Sequence, residues 1–229
     1  MASSFDHKRF GGPIGRMLLE DQQRVLLSFL GDVTGRKILD VGAGTGRASI
    51  AIAGAGATVV GVDASAEMLA VARRRASDQH LHIDFAMGDA HALAFADRAF
   101  DGVVCLRLLM HVPDWQRTLA ELCRVARDRV VFDYPSLTSA AALQAVWRRA
   151  AAAAGSRVEA YRVFTEGEIT RALTAHGFHI TRTHRQFVLP IALHKALGST
   201  TFTQQTERLL EKTGLLQFAG SPVTVAAER

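Results

Sequence analysis

Apolar residues recur at helical spacing from about Ile14 to Leu30 (Met17, Leu18, Val25, Leu26, Leu27, Phe29, Leu30), which predicts an amphipathic helix ahead of any strand. Short apolar or β-branched runs then alternate with helical stretches. Lys37–Val41, Ala57–Val62, Leu81–Ala86, Phe100–Leu106 and Arg129–Tyr134 read as buried strands. Ala48–Ala55, Ser65–Ala76, Asp114–Arg127 and Ser139–Ala154 read as helices, with Ser65 as an N-cap. Further on, Thr165-x-x-Glu168 is a capping box opening a helix that ends at His176-Gly177. Phe178–Leu189 reads as a strand, about Ile191 to Leu216 as a helical elaboration, and Ser221–Glu228 as a last strand.

Strands alternating with helices make a parallel sheet covered on both faces. The expected fold is therefore α/β: a Rossmann-like, seven-stranded, mostly parallel sheet in one domain spanning residues 1–229. Within it, residues 1–35 form an N-terminal helical lid segment, 36–135 the core around the glycine turn, and 136–229 a second half with a helical insertion at about 190–219. Such sheets bind ligands beyond the carboxyl ends of their strands, where strand order reverses.

Composition narrows the classes. Of 229 residues, 48% are hydrophobic and 21% charged, enough apolar material for a core and too little charge for a disordered chain. The net charge is +5, but the positives are scattered, and the densest cluster, Arg73-Arg74-Arg75, suits a helix C-terminus. With no basic domain, a nucleic-acid partner is not expected. Cys105 and Cys123 sit in apolar surroundings without metal spacing, which fits a reducing cytoplasm. The first nine residues lack an apolar run and no stretch reaches about 18 apolar residues, so neither a signal peptide nor a membrane span is expected.

The strand ends carry the candidate chemistry. After the first strand comes Asp40-Val41-Gly42-Ala43-Gly44-Thr45-Gly46-Arg47. Three alternate glycines let a ligand lie against bare backbone near a helix N-terminus. The dinucleotide fingerprint G-x-G-x-x-G would place a third glycine where Arg47 stands, so a nicotinamide cofactor is the rival reading. Asp63 follows Asp40 by 23 residues and Asp89 follows Asp63 by 26, each one helix–strand unit further on. An acid after the second strand can accept ribose hydroxyls, and an acid after the third can meet an adenine edge.

This constellation resembles the class I S-adenosylmethionine-dependent methyltransferases. The resemblance rests on Ile38-Leu39-Asp40-Val41-Gly42-Ala43-Gly44-Thr45-Gly46, Val62-Asp63-Ala64-Ser65-Ala66-Glu67-Met68-Leu69, Gly88-Asp89-Ala90, Phe100-Asp101-Gly102-Val103-Val104, Met110-His111-Val112-Pro113-Asp114-Trp115 and Leu119-Ala120-Glu121-Leu122-Cys123-Arg124-Val125. It is nearest to the small-molecule and ubiquinone/menaquinone branch, and it covers Lys37 to Tyr134 well. It implies S-adenosylmethionine as cofactor. Gly42, Ala43, Gly44 and Gly46 would pass under its methionine part, and Asp40 would organise that loop or the amino group. Asp63 would hold the ribose, Ala64 and Met68 would pack on adenine, Asp89 and Ala90 would meet its edge, and Leu106 would offer a carbonyl to the amine. The family's proline-glycine-glycine turn before the fifth strand is replaced by Val125-Ala126-Arg127-Asp128-Arg129.

Methyl transfer from a sulfonium is an in-line displacement that positioning can accelerate, with a base needed only if the acceptor must lose a proton. His111 is the candidate base, against a structural role in its loop. Arg107 could orient an acidic acceptor or pair with a surface carboxylate, and Tyr134 could line the acceptor site or form its rim. No metal is expected: an acid would be wanted where Arg107-Leu108 stand, and Asp133 alone is not a ligand set. Apolar residues outside the core strands include Phe5 and Phe10, the run Phe187-Val188-Leu189-Pro190-Ile191-Ala192-Leu193, and Phe202, Leu209, Leu210, Leu215, Leu216 and Phe218. They suit a lid over an apolar small-molecule acceptor, ordinary core filling, or a homodimer interface. A non-catalytic cofactor-binding partner protein would carry the same binding residues.

Overall fold

The computed structural model describes residues 11–138, 162–189 and 191–229. The elements are α1 (Gly12–Leu30), β1 (Lys37–Val41), α2 (Arg47–Gly54), β2 (Thr58–Asp63), α3 (Ala66–Asp78), β3 (Ile83–Met87), β4 (Phe100–Cys105), α4 (Trp115–Val125), β5 (Ala126–Tyr134), α5 (Glu166–Thr174), β6 (His179–Arg185), α6 (Ile191–Leu197), α7 (Thr200–Lys212), α8 (Leu215–Ala219) and β7 (Val223–Glu228). The expected helix at 139–154, together with Phe5, Phe10 and Pro190, lies outside the described residues.

The strands form one seven-stranded sheet in the order β3-β2-β1-β4-β5-β7-β6. β1 to β5 pair in parallel, and β7 runs antiparallel to both its neighbours. β6 therefore points the same way as β5, and the carboxyl ends of β1 to β6 share one edge. Strand order reverses between β1 and β4, which opens the ligand crevice there.

Side chains alternate between two apolar layers. Ile38, Val104 and Val131 face α1, packing with Val25, Leu26 and Phe29. Leu39, Val103, Phe132 and Tyr134 face the other side, against Trp115 and Leu119 of α4 and Ile169 and Leu173 of α5. Each fully buried aliphatic or aromatic side chain contributes about 2 kcal/mol through water exclusion.

The far end of α1 is pinned. Its last turn leaves carbonyls without intrahelical partners. Arg129 of β5 donates to the carbonyls of Phe29 (3.0 Å) and Leu30, and Arg182 of β6 donates to that of Ser28 (2.7 Å). Gly31 ends the helix at φ 73°.

Two boundaries differ from the sequence reading. β6 stops at Arg185 rather than running to Leu189. Phe187 adopts a left-handed φ of 44°, so the chain turns there and its ring packs on Ile14 and Leu18 of α1. β5 begins directly after α4, at Ala126. The capping box forms as read, with the Thr165 and Glu168 side chains each accepting the other's backbone N–H.

Candidate functional site

Gly42, Gly44 and Gly46 all hold positive φ (75°, 54° and 82°), so the turn after β1 is built from conformations that side chains disfavour. At Gly46 a Cβ would meet the Ala72 Cβ at 2.9 Å, so glycine here also permits close packing against α3. The turn is tied to β2: the amides of Gly42 and Ala43 donate to the Val62 carbonyl (2.8 and 3.0 Å). Asp63 accepts the Gly44 N–H on Oδ2 (2.8 Å) and the Ser65 N–H on Oδ1 (2.9 Å), leaving lone pairs on both oxygens.

Asp40 is buried beneath this turn and accepts the Ser49 hydroxyl at 2.5 Å. Burial pushes its carboxyl up to about 6, opposed by the Ser49 hydrogen bonds. Asp133, at the end of β5, is likewise fully buried. Its Oδ1 accepts the Arg107 N–H at 2.5 Å, while Oδ2 has no partner among the described residues. Burial raises its carboxyl as well, against the charge of Arg107. Asp40 is paired with Val104, and Asp133 lies two positions beyond the residue paired with Val104 on β5, so both acids face α1. Leu106 and Arg107, the latter at φ 63°, line a crevice of about 40 Å³ with Asp40, Ala43 and Arg47 on one side and Gln22 and Gln23 of α1 on the other.

The rim beyond β2 and β3 is open. Ala64 is exposed, Met68 half-buried with its N–H on the Ser65 cap, and Ala90 half-buried. Asp89 is exposed, and its carboxylate accepts the backbone N–H of His91 (2.9 Å) and meets the imidazole Nδ1 (2.7 Å); these bonds, the backbone one first, hold it below the ordinary carboxylate range. Met87, the register partner of Asp63, stands 65% exposed, an apolar surface beside the acid. The loop after Ala90 is braced from α4: Arg124 donates to the carbonyls of Phe95 (2.8 Å) and Leu93 (2.9 Å), to Asp97 (2.8 Å) and to Glu121, which itself accepts the Leu93 N–H (2.7 Å).

Of the candidate reactive residues, His111 lies exposed in the turn after β4, with its N–H on the Leu108 carbonyl (2.8 Å). Tyr134 points to the other side of the sheet from Asp133, 1% exposed, with its hydroxyl unpartnered among the described residues. The glycine turn, Asp40, Asp63, Leu106 and Arg107 thus come together, Asp89 and Ala90 stand at the rim, and Tyr134 lies apart.

A cavity of about 830 Å³ opens beside the carboxyl end of β6, between α1 and α7. Its wall is mixed: Leu18, Phe187 and Leu216 are apolar, while Arg185 and Glu207 are ionic. Leu209, Leu215 and Phe218, from the anticipated apolar lid, are instead exposed at 62%, 46% and 74%. Met87, Asp133, Arg185 and the Arg124 brace were missed from the sequence. Only Met87, placed directly before Gly88-Asp89, had a local signal.

Residues 38–129 match the model of the methyltransferase domain family. The chain is 44% identical over 105 residues to a demethylmenaquinone methyltransferase of Renibacterium salmoninarum, covering 46% of this chain and 43% of that protein. It is 42% identical over 85 residues to a ubiquinone biosynthesis O-methyltransferase of Coxiella burnetii, covering 37% and 36%. The chain thus spans less than half the length of these curated relatives. In fold it matches magnesium protoporphyrin IX methyltransferase from Synechocystis PCC 6803, crystallised with SAH, at a TM-score of 0.68 and 21% identity over 99% of this chain and 94% of that one. The chain has the fold of these methyltransferase structures, and its residues 38–129 match the methyltransferase domain model.

Proposed function

We propose that the protein transfers the methyl group of S-adenosylmethionine to a small molecule with an apolar body. The observation that carries this is the Asp63 carboxylate. It holds the bare glycine turn through Gly44, yet keeps free lone pairs beside the exposed Met87 and Ala64. A nucleoside fits these residues: ribose hydroxyls donate to Asp63, adenine lies on Met87, Ala64 and Met68, and the edge faces Asp89 and Ala90. The amino-acid tail would run over Gly42, Ala43, Gly44 and Gly46 toward Asp40 and the Leu106 carbonyl. The nicotinamide reading is disfavoured by Arg47, which occupies the helix position a third fingerprint glycine would need.

The bound cofactor supplies an activated methyl on a sulfonium. The protein's part is placement. Asp40 contributes negative charge under the ammonium end, and the Asp133–Arg107 bond fixes the left-handed turn that presents the β4 loop. His111, exposed at the mouth of that loop, is the group placed to take a proton from an acceptor that must lose one.

The crevice under α1 has room for about one water. The methionine end therefore enters as Gln22 and Gln23 withdraw, which makes α1 a lid. Cys105 and Cys123 are free and buried, which supports a cytoplasmic setting.

Calorimetric titration with S-adenosylhomocysteine and with NAD tests the reading. Binding of the first and not the second is expected; the reverse result refutes it.

A further inference from the structure

We propose that Arg47 holds the carboxylate of the cofactor's amino-acid tail, across the glycine turn from Asp40 and the ammonium, so that the site selects an intact zwitterion over a tail that has lost its carboxylate. On the methyl-transfer reading, on which this assignment rests, Arg47 becomes a residue that sets cofactor specificity.

The two charges stand at the two feet of one turn. Asp40 lies near the end of β1, and Arg47 is the first residue of α2. Between them run Gly42, Gly44 and Gly46, all at positive φ, where bare backbone lets a ligand lie close. Asp40 and Arg47 both line the small crevice under α1, with Gln22 and Gln23 across from them.

The surrounding charges narrow the choice of cation. A carboxylate taken under α1 leaves water and needs a cation there, because an unpaired buried charge is costly. Two arginines line the crevice, Arg47 and Arg107. Arg107 belongs to Asp133. Its N–H donates to Oδ1 at 2.5 Å, and while burial raises that carboxyl, the charge of Arg107 is the largest influence opposing the rise. Arg47 reaches both acids but leads at neither. At Asp40, burial is opposed first by the hydroxyl and N–H of Ser49, and the charge of Arg47 is a weaker influence there, as it is at Asp133. The Arg47 guanidinium therefore lies close to both acids without being the principal partner of either. Its planar fork suits an incoming carboxylate in two hydrogen bonds.

Asp40 is placed for the complementary group. Its bonds to Ser49 fix the carboxylate at the start of α2, under the turn. An amino-acid tail carries ammonium and carboxylate on one carbon, so its site must offer an acid and a cation side by side. Asp40 and Arg47 meet that requirement. A tail reduced to its ammonium would meet the repulsion of Arg47 with no carboxylate to offset it. The arginine thus discriminates in both directions, by attracting the zwitterion and by repelling the bare cation. The amides of Gln22 and Gln23 can donate to the same carboxylate once α1 closes over it.

The test is calorimetric binding of S-adenosylhomocysteine, of its decarboxylated analogue, and of methylthioadenosine, which has no amino-acid tail. Wild-type protein is expected to bind S-adenosylhomocysteine about tenfold or more tightly than the decarboxylated analogue. Arg47→Gln should abolish that preference, and Arg47→Lys, a point charge without the fork, should keep part of it. Arg107→Gln should leave the preference in place. Methylthioadenosine should bind wild type and Arg47→Gln alike, which separates a lost carboxylate contact from a deformed turn. The assignment is overturned, with the methyl-transfer reading intact, if wild type binds both tailed compounds equally, if the preference survives Arg47→Gln or is lost in Arg107→Gln, or if Arg47→Gln weakens methylthioadenosine as well. If neither S-adenosylhomocysteine nor methylthioadenosine binds wild type, the methyl-transfer reading itself fails and the assignment falls with it.

Discussion

Asp63 Oδ2 accepts the Gly44 N–H at 2.8 Å, so the acid at the end of β2 fastens the glycine turn at the end of β1. On the proposed function, one carboxylate thereby both shapes the glycine turn and would present acceptors to a ribose. Asp63→Ala should weaken S-adenosylhomocysteine binding by about 1–3 kcal/mol, through lost hydrogen bonds in a partly buried site. Asp63→Asn, which keeps an oxygen for the Gly44 amide, should lose less. Calorimetric affinities of the two variants check this, and an unchanged Asp63→Ala value removes the ribose role.

Asp40 is expected to make both stability and, on the proposed function, cofactor binding depend on pH. Its folded carboxyl sits at about 6, above the ordinary 3.8, so between these values the folded protein holds a proton that the unfolded chain releases. That contribution, about 3 kcal/mol, is fully present below pH 3.8 and is lost as pH rises through about 6. Wild-type protein should therefore lose more stability than Asp40→Asn between pH 4 and pH 7, measured by thermal unfolding. Affinity for the cationic cofactor should rise across the same interval in wild type, as the acid ionises, and stay flat in the variant.

Gly46 and Gly167 make a matched pair. Gly46→Ala would add a Cβ 2.9 Å from that of Ala72, at φ 82°. The left-handed backbone and the overpacking together should cost about 2–4 kcal/mol in urea denaturation. Gly167→Ala lies in α5 with nothing within 4 Å of the added atom, and should stabilise by about 0.5–1 kcal/mol.

The Arg124 brace links α4 to the loop that follows Asp89 and Ala90. Arg124→Met keeps the aliphatic stem but removes the bonds to the Leu93 and Phe95 carbonyls and to Asp97. Stability should fall by about 2–3 kcal/mol, and S-adenosylhomocysteine affinity by severalfold as the segment carrying Asp89 and Ala90 loosens. Urea denaturation and calorimetry on the same variant report the two effects separately.

The parallel half of the fold was readable because its signals are local: apolar runs for β1 to β5, and turn glycines and caps such as Ser65 and Thr165 beside the elements they end or open. Asp40 and Asp63 were readable for the same reason, each sitting at the end of its own strand. The β6 overrun to Leu189 came from an apolar run that keeps its hydrophobic burial but bends at Phe187, whose φ no sequence period encodes. Arg185 escaped because β7, more than thirty residues after β6, supplies the register that places it. Asp133 escaped because its burial depends on α1 lying across its face, a tertiary contact between distant segments. The polar wall of the β6 cavity was also hidden, since the insertion turns Leu209, Leu215 and Phe218 outward.

The arginine grip holds the tail of α1, while its head rests on Phe187 through Ile14 and Leu18 and is tied through Asp21 to Gln186 and His184. The rod thus stands between two compartments, with the small crevice beside the glycine turn on one flank and the β6 cavity on the other. A ligand that tilts it to enter one compartment must redraw the wall of the second.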